Sequence, residues 1–389
     1  IPLAQPKMGV VMNLLAQTRY PDNDWTRNKK GEFTAFDTAS DTVGEYMGME
    51  IIPANEKIAD LGPVVCRVPC PAPAAFPQTR GYVLSAKAND SYHAVNLLLQ
   101  SGLRVWRINA CPYHDFYVEG DAEKLNEIFT KTNAIVRTVD QPYADMTEIR
   151  PMKIGVYQRY YTGNADEGWS RLLLDTMEYS YKTLRDKDVL SGALEDVDAL
   201  VLPSDELAML YGPQYFKNDP QYDNLMLWVG VQPEDKQSAL GEEGTKKIAE
   251  FVRRGGRLMA FNKACAYAIK ACDLRVTNKA AGLPLSQFNT HGSTLKIKVD
   301  RQNPLCYGMP ENALALHWDG PVFEISERFH AADYVSCADY AQKDVLQSGL
   351  LVGEELIAGT PALLSVACGK GDVVLYGFAP QHRCQTHGT

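Results

Sequence analysis

From residue 153 onward the sequence alternates short apolar runs with segments of helical spacing, and this alternation limits the possible folds more than any other feature. Ile154, Val156 and Tyr157 read as a strand, and Trp169, Leu172, Leu173, Met177 and Leu184 recur at helical spacing over residues 167–184. Residues 199–202 (Ala-Leu-Val-Leu) read as a buried strand. Residues 243–254 are amphipathic and stopped by Gly255-Gly256, residues 257–261 are short and apolar again, and a helix is expected to restart near Cys265. Strands alternating with helices build parallel sheet, because a parallel pair needs a long crossover. Strands over 295–299, 322–325, 363–366 and 373–378 are expected to complete it, giving one mainly parallel sheet over 153–378 with helices on both faces.

The first half reads similarly. A strand over 81–86, a helix over 91–100 ended by Gly102, and a strand over 103–108 form a βαβ pattern, followed by a helix over 121–131 and a strand over 134–139. Pro142 and Pro151 frame a polar stretch, so a domain boundary is placed there, separating residues 1–150 from 151–389. Pro69, Pro71, Pro73 and Pro77 mark an extended connector within the first part. The fold class is α/β in two domains.

Composition narrows the function. The formal net charge is −9 and no Lys/Arg run exceeds two residues, which argues against nucleic acid or an anionic membrane surface as the main partner. No stretch approaches the roughly 18 apolar residues of a membrane span. The nine Cys lack the CxxC or Cys/His spacing of a zinc site, so no metal is expected, and their number leaves the redox compartment open. Trp25, Trp106, Trp228 and Trp318 read as packing residues, and His93 and His114 as ordinary surface or turn residues.

Several local motifs go further. They are Asp166-Glu167-Gly168-Trp169, residues 251–258 (Phe-Val-Arg-Arg-Gly-Gly-Arg-Leu), Tyr307-Gly308-Met309-Pro310, residues 351–355 (Leu-Val-Gly-Glu-Glu), Gly369-Lys370-Gly371 running into residues 376–383, and the closing Gln385-Thr386-His387-Gly388-Thr389. With them the second part resembles the flavodoxin-like, class I glutamine amidotransferase-like domain that closes a group of secreted zinc carboxypeptidase-like proteins of the M14 family. For residues 1–150 the resemblance rests on Arg19-Tyr20-Pro21-Asp22 and Met47-Gly48-Met49-Glu50.

The resemblance implies a secreted or periplasmic protein and a peptidase domain whose zinc is held by a His-x-x-Glu pair and a later His. No His here is followed by Glu three residues on: His93 precedes Ala94-Val95-Asn96 and His114 precedes Asp115-Phe116-Tyr117. The chain therefore reads as the non-catalytic region that follows the peptidase domain. The zinc belongs to that domain, no cofactor is expected here, and the expected partner is the peptidase domain of the same protein or a second copy of the chain. An apolar patch facing the partner is expected around residues 64–77.

A working glutamine amidotransferase also needs a Gly-x-Cys-x-Gly turn and a His-Pro-Glu run. Here the matching positions are Asn262, within Ala260-Phe261-Asn262-Lys263-Ala264, and Ala379-Pro380-Gln381. The domain reads as a pseudoenzyme. Cys265 is the best remaining nucleophile, with His382 or His387 as base in a free-standing hydrolase, although a Cys here is more commonly a small packing residue. Asp166, Glu167 and Trp169 should meet His382, Arg383 and His387 at the C-terminal edge of the sheet, where open α/β folds bind ligands. That group offers enough for a metal, a carboxylate ligand or a structural salt-bridge cluster, and a pocket at Asp166 and Arg383 could hold a small molecule or sugar.

Overall fold

A computed structural model describes residues 1–35, 43–60, 62–63, 75–160, 163–212, 239–326 and 333–386. The chain opens with α1 (Met8–Leu15), which buries none of its residues, and a short α2 (Val43–Tyr46). These N-terminal residues attach to the far end of the chain. Thr18 N donates to Ser348 Oγ at 2.8 Å, Tyr20 N donates to the Gly349 carbonyl, and Tyr46 and Thr294 share a buried hydroxyl hydrogen bond of 2.5 Å.

Next comes a five-stranded sheet. Its elements are β1 (Gly81–Leu84), α3 (Asn89–Gln100), β2 (Val105–Ile108), β3 (Phe116–Val118), α4 (Ala122–Thr132), β4 (Val136–Val139) and β5 (Met146–Ile149), in the order β4-β1-β3-β2-β5. Every pairing in it is antiparallel. The βαβ pattern read from sequence is therefore split: β3 inserts between β1 and β2, which gives the ferredoxin-like βαββαβ arrangement with one added edge strand. The apolar faces of α3 and α4 bury Val95, Leu98, Leu125 and Phe129 on this sheet.

Between Ile149 and Ile154 the chain enters a larger sheet. Its first half holds β6 (Ile154–Tyr157), α5 (Ala165–Thr176), β7 (Tyr181–Leu184), α6 (Asp186–Ser191), β8 (Ala199–Leu202), α7 (Leu207–Tyr211), α8 (Gly241–Arg254), β9 (Arg257–Phe261) and α9 (Cys265–Ala271). The helix expected over 167–184 ends at Thr176, and Leu184 lies on β7, paired with Tyr157. Glu178, at a positive φ of 54°, turns the chain between them.

The second half contributes β10 (Val276–Asn278), β11 (Ser293–Val299), β12 (Asn312–His317), β13 (Phe323–Ile325), β14 (Tyr334–Tyr340), β15 (Leu346–Ser348), α10 (Glu354–Ile357), β16 (Pro361–Cys368) and β17 (Gly371–Tyr376). Among the described residues ten strands form one sheet, in the order β12-β11-β14-β16-β17-β9-β8-β6-β7 with β15 also on β11, while β10 and β13 pair separately.

The sheet is mixed, not mainly parallel. Strands β7, β6, β8, β9 and β17 are parallel to their neighbours, in the 2-1-3-4-5 order of a doubly wound fold, whereas β11, β12, β14, β15 and β16 pair antiparallel. Strand β17 joins the halves, parallel to β9 on one side and antiparallel to β16 on the other.

Helices α8 and α9 cover one face of the parallel half, with Ile248, Phe251, Val252 and Ala268 packed on Leu200, Leu258, Ala260 and Leu375. The opposite face carries Val156, Val201, Phe261, Met259 and Tyr376, and among the described residues α5, the start of α3 and the C-terminal turn lie over it. Helices do lie on both faces, but unevenly.

The Tyr307-Gly308 motif joins the two sheets. Tyr92 of α3 donates its hydroxyl to the Tyr307 carbonyl at 2.9 Å, and a Cβ on Gly308, whose φ is 89°, would stand 2.2 Å from the Ala86 carbonyl oxygen. His114 is a turn residue, with a φ of 55° and its amide donating to the Cys111 carbonyl, but it is buried at this junction against Tyr307 and not on the surface. Trp25, expected to pack, is 95% exposed. Residues 64–74 of the connector, Trp228 and His387 lie outside the described residues.

Candidate functional site

The five parallel strands end at one edge, and the segments leaving them bring the expected residues together. After β6, Asn164 caps α5, its Oδ1 accepting from the Asp166 and Glu167 amides at 3.0 and 3.5 Å. Both acids thus sit in the first helical turn, where negative charge is favoured. Glu167 is turned inward and is bound by Arg171 and by Gln158 at 3.2 Å. Asp166 remains at the edge beside Asp205, which follows β8, and Lys263, which follows β9.

After β17 the chain turns into His382–Cys384, which docks on α5. Gln381 donates Nε2 to Ser170 Oγ at 3.0 Å and to the Asp166 carbonyl at 3.3 Å. The buried His382 ring meets Trp169 edge to face at 4.8 Å and Trp318 at 5.7 Å between centroids. Trp169 and His382 therefore meet as expected, while the Arg383 side chain is exposed at a residue of positive φ.

Asn262 stands at the strand-to-helix turn after β9, as expected, and its φ of 50° is left-handed, as at a nucleophile elbow. The turn is plugged. Asn262 Nδ2 donates to the Trp318 carbonyl at 3.0 Å, only 5% of the residue is exposed, and its Oδ1 has no hydrogen-bond partner among the described residues. Gly320 seals the other side, where a Cβ would stand 2.4 Å from Asn262 Oδ1 and 3.2 Å from His317 Nε2.

Cys265 is not a usable nucleophile. It is fully buried, its thiol lies 3.3 Å from the Ala260 carbonyl and 3.2 Å from the Tyr376 carbonyl, and burial pushes its pKa far above that of a free thiol. The helix start that could have activated it is outweighed by loss of solvent. His317 shares a 2.5 Å hydrogen bond with Thr290 Oγ1, yet both are sealed in the interior, and burial lowers the imidazole pKa to about 4.

Sequence reasoning missed the charged part of the edge. Arg159 and Asp205 form a nearly buried pair with N···O distances of 2.5 and 2.6 Å. Burial raises the Asp205 carboxyl to about 6 despite Arg159. Burial, aided by the Asp205 charge and opposed by Lys263, raises Asp166 to about 6 as well. Lys263 bonds Glu206 at 2.9 Å and, against the cost of burial, is kept charged by Glu206, Asp319 and Asp166. Asp319 is held below the usual carboxylate range, chiefly by His291 at 3.9 Å. The available signal was positional: Asp205, Glu206 and Lys263 directly follow strand ends at the edge where such sheets bind ligands.

Among the described residues no group of three His, Cys, Asp or Glu side chains is placed to hold a metal ion. No helix among them is long and apolar enough to cross a membrane.

No protein-family profile matches the sequence, and no curated protein is significantly similar to it. Among solved structures, the chain is similar to a GMP synthase component of Thermoplasma acidophilum (11% identity over 59% of this chain and 85% of that one, TM-score 0.35). It is also similar to a Thermotoga maritima glutamine amidotransferase (10% identity, 59% and 76% covered, TM-score 0.35) and a Bacillus circulans β-galactosidase (10% identity, 61% and 30% covered, TM-score 0.33). Likeness at this level assigns no activity.

Proposed function

We propose that the chain is a non-catalytic accessory region of a secreted or periplasmic M14-like zinc metallocarboxypeptidase, and that its second part is a pseudoenzyme version of a glutamine amidotransferase domain. In this reading residues 1–150 link, residues 151–389 form the degenerate domain, and zinc is held only by the peptidase domain. The observation that carries it is Asn262: the elbow backbone is kept, but its side chain is a carboxamide bonded to the Trp318 carbonyl, and the base and acid positions are Ala379 and Gln381. A carboxamide offers no electron pair comparable to a thiolate.

An exposed apolar surface supports the same reading. Met8, Val10, Met12 and Leu14 on α1, together with Met47, Met49 and Ile52, are open to solvent. This surface lies N-terminal to the connector around which the patch was expected, and a neighbouring domain or second copy would bury it.

Glutaminase and carboxypeptidase assays on the purified chain, with and without added zinc, test the proposal. No turnover is expected, and no equivalent of zinc should survive dialysis. Turnover abolished by Cys265→Ser, or one retained zinc per chain, would overturn it.

A further inference from the structure

The sparsely covered face of the parallel sheet encloses a second feature, distinct from the charged edge. A cavity of about 400 Å³ lies between that face, α5, the start of α3 and the C-terminal turn. This size lies within the range of small-molecule sites. Val201, Met259, Phe261 and Tyr376 form its floor, and Leu174 and Met177 of the α5 segment form one wall. None of the residues lining it is charged. Sugars, nucleotides and peptide termini, which need charged or densely hydrogen-bonding partners, are poorly suited to such walls.

One end is polar. Ser170 and Gln381 line it, and Gln381, 4% exposed, spends its Nε2 on Ser170 and the Asp166 carbonyl while its Oε1 has no hydrogen-bond partner among the described residues. Oε1 is itself closed to solvent, so a ligand in the cavity reaches it as the Gln381 amide turns toward the cavity, and a donor supplied there offsets the cost of the unpaired buried acceptor. The floor adds an edge-to-face pair, Phe261 and Tyr376 with centroids 5.0 Å apart, and thioethers that accommodate flat rings.

We propose that this cavity binds a neutral, flat aromatic molecule carrying one hydrogen-bond donor, with its rings on the Phe261–Tyr376 floor and its N–H or O–H directed to Gln381 Oε1. The inference does not rest on the accessory-region reading: the cavity is built by the sheet face and would serve a chain with any activity.

The probe is N-phenyl-1-naphthylamine, an aryl amine whose fluorescence rises in apolar sites, compared in competition with 1-phenylnaphthalene, which lacks the donor. The native chain should bind the amine saturably at one site per chain, about tenfold more tightly than the hydrocarbon. Met177→Trp, at the half-exposed rim, should weaken both at least tenfold, and Gln381→Leu should remove the difference between them. Circular dichroism identifies a variant that fails to fold, and Leu174→Phe then replaces Met177→Trp. Absence of saturable binding, affinity unaffected by the blocking variants, as probe bound to the exposed α1 surface would give, or an amine preference that survives Gln381→Leu overturns the proposal.

Discussion

The imidazole of His114 lies flat on the ring of Tyr307, with centroids 3.6 Å apart and planes 18° from parallel. This stack fastens the five-stranded sheet to the larger one, beside Arg107, which donates to the His114 carbonyl at 2.8 Å and covers Phe116 at 3.8 Å. Tyr307→Ala should cost about 1–2 kcal/mol and speed amide exchange in β2 and β3. Gly308→Ala should cost more, because a Cβ would press on the Ala86 carbonyl. Chemical denaturation with hydrogen exchange checks both, and a Gly308→Ala chain as stable as the native one would contradict this description of the junction.

At the elbow, the left-handed conformation and the bond to Trp318 can be separated. Asn262→Gly keeps the conformation and loses the bond, so it should cost about 1 kcal/mol. Asn262→Ala loses both and should cost about 2 kcal/mol. Equal melting temperatures for the two variants would mean that the backbone there is unstrained.

Stability should respond to acid in two opposing ways. His317 has a folded-state pKa of about 4, below its unfolded value, so its contribution is present above about pH 6.5 and lost as pH falls toward 4, by up to about 3 kcal/mol. Asp166 and Asp205, raised to about 6, act in the other direction: the folded state takes up protons first, so stability is gained as pH falls from about 6 toward 4. Asp166→Asn should therefore raise stability at pH 7 by about 1–2 kcal/mol and steepen the loss between pH 6.5 and 4.5. Denaturant midpoints across that range decide it, and a variant with an unaltered profile would show that Asp166 does not titrate as described.

Thiol chemistry offers a further check. Cys265 should react with Ellman's reagent only on unfolding, and Asn262→Cys should remain slow as well, because Trp318 and Gly320 close over the turn. Rapid labelling of an Asn262→Cys chain that is otherwise native would show that the plug opens.

The parallel half was legible in the sequence because its helices and strands carry different hydrophobic periods. Residues 243–261 are the clearest case: Ile248, Phe251 and Val252 fall on one helical face, and Gly255 stops the run before β9. The antiparallel half was misread. No helix of crossover length joins β14 through β17, and that spacing already pointed to hairpins. Strand β3 escaped because it spans only Phe116–Val118, too short to display a period. At the edge, Asp166, Trp169 and His382 were found through local motifs, whereas Asp205, Lys263 and Trp318 converge from separate strand ends and signal their meeting only once the strand order is known.

The attachment of the N-terminal residues to β15 has a consequence for synthesis. Thr18 and Ser348 are separated by 330 positions, so Thr18 leaves the ribosome long before its anchor exists. Closing such a loop from an unfolded chain costs on the order of 5 kcal/mol in entropy, a cost that falls only when the intervening sheets are already folded. Residues 18–20 are therefore made well before the strand that secures them. Until residue 349 emerges, the Thr18 and Tyr20 amides and the Tyr46 hydroxyl lack their partners, and protection of that segment from proteolysis reports that β11 and β15 have formed.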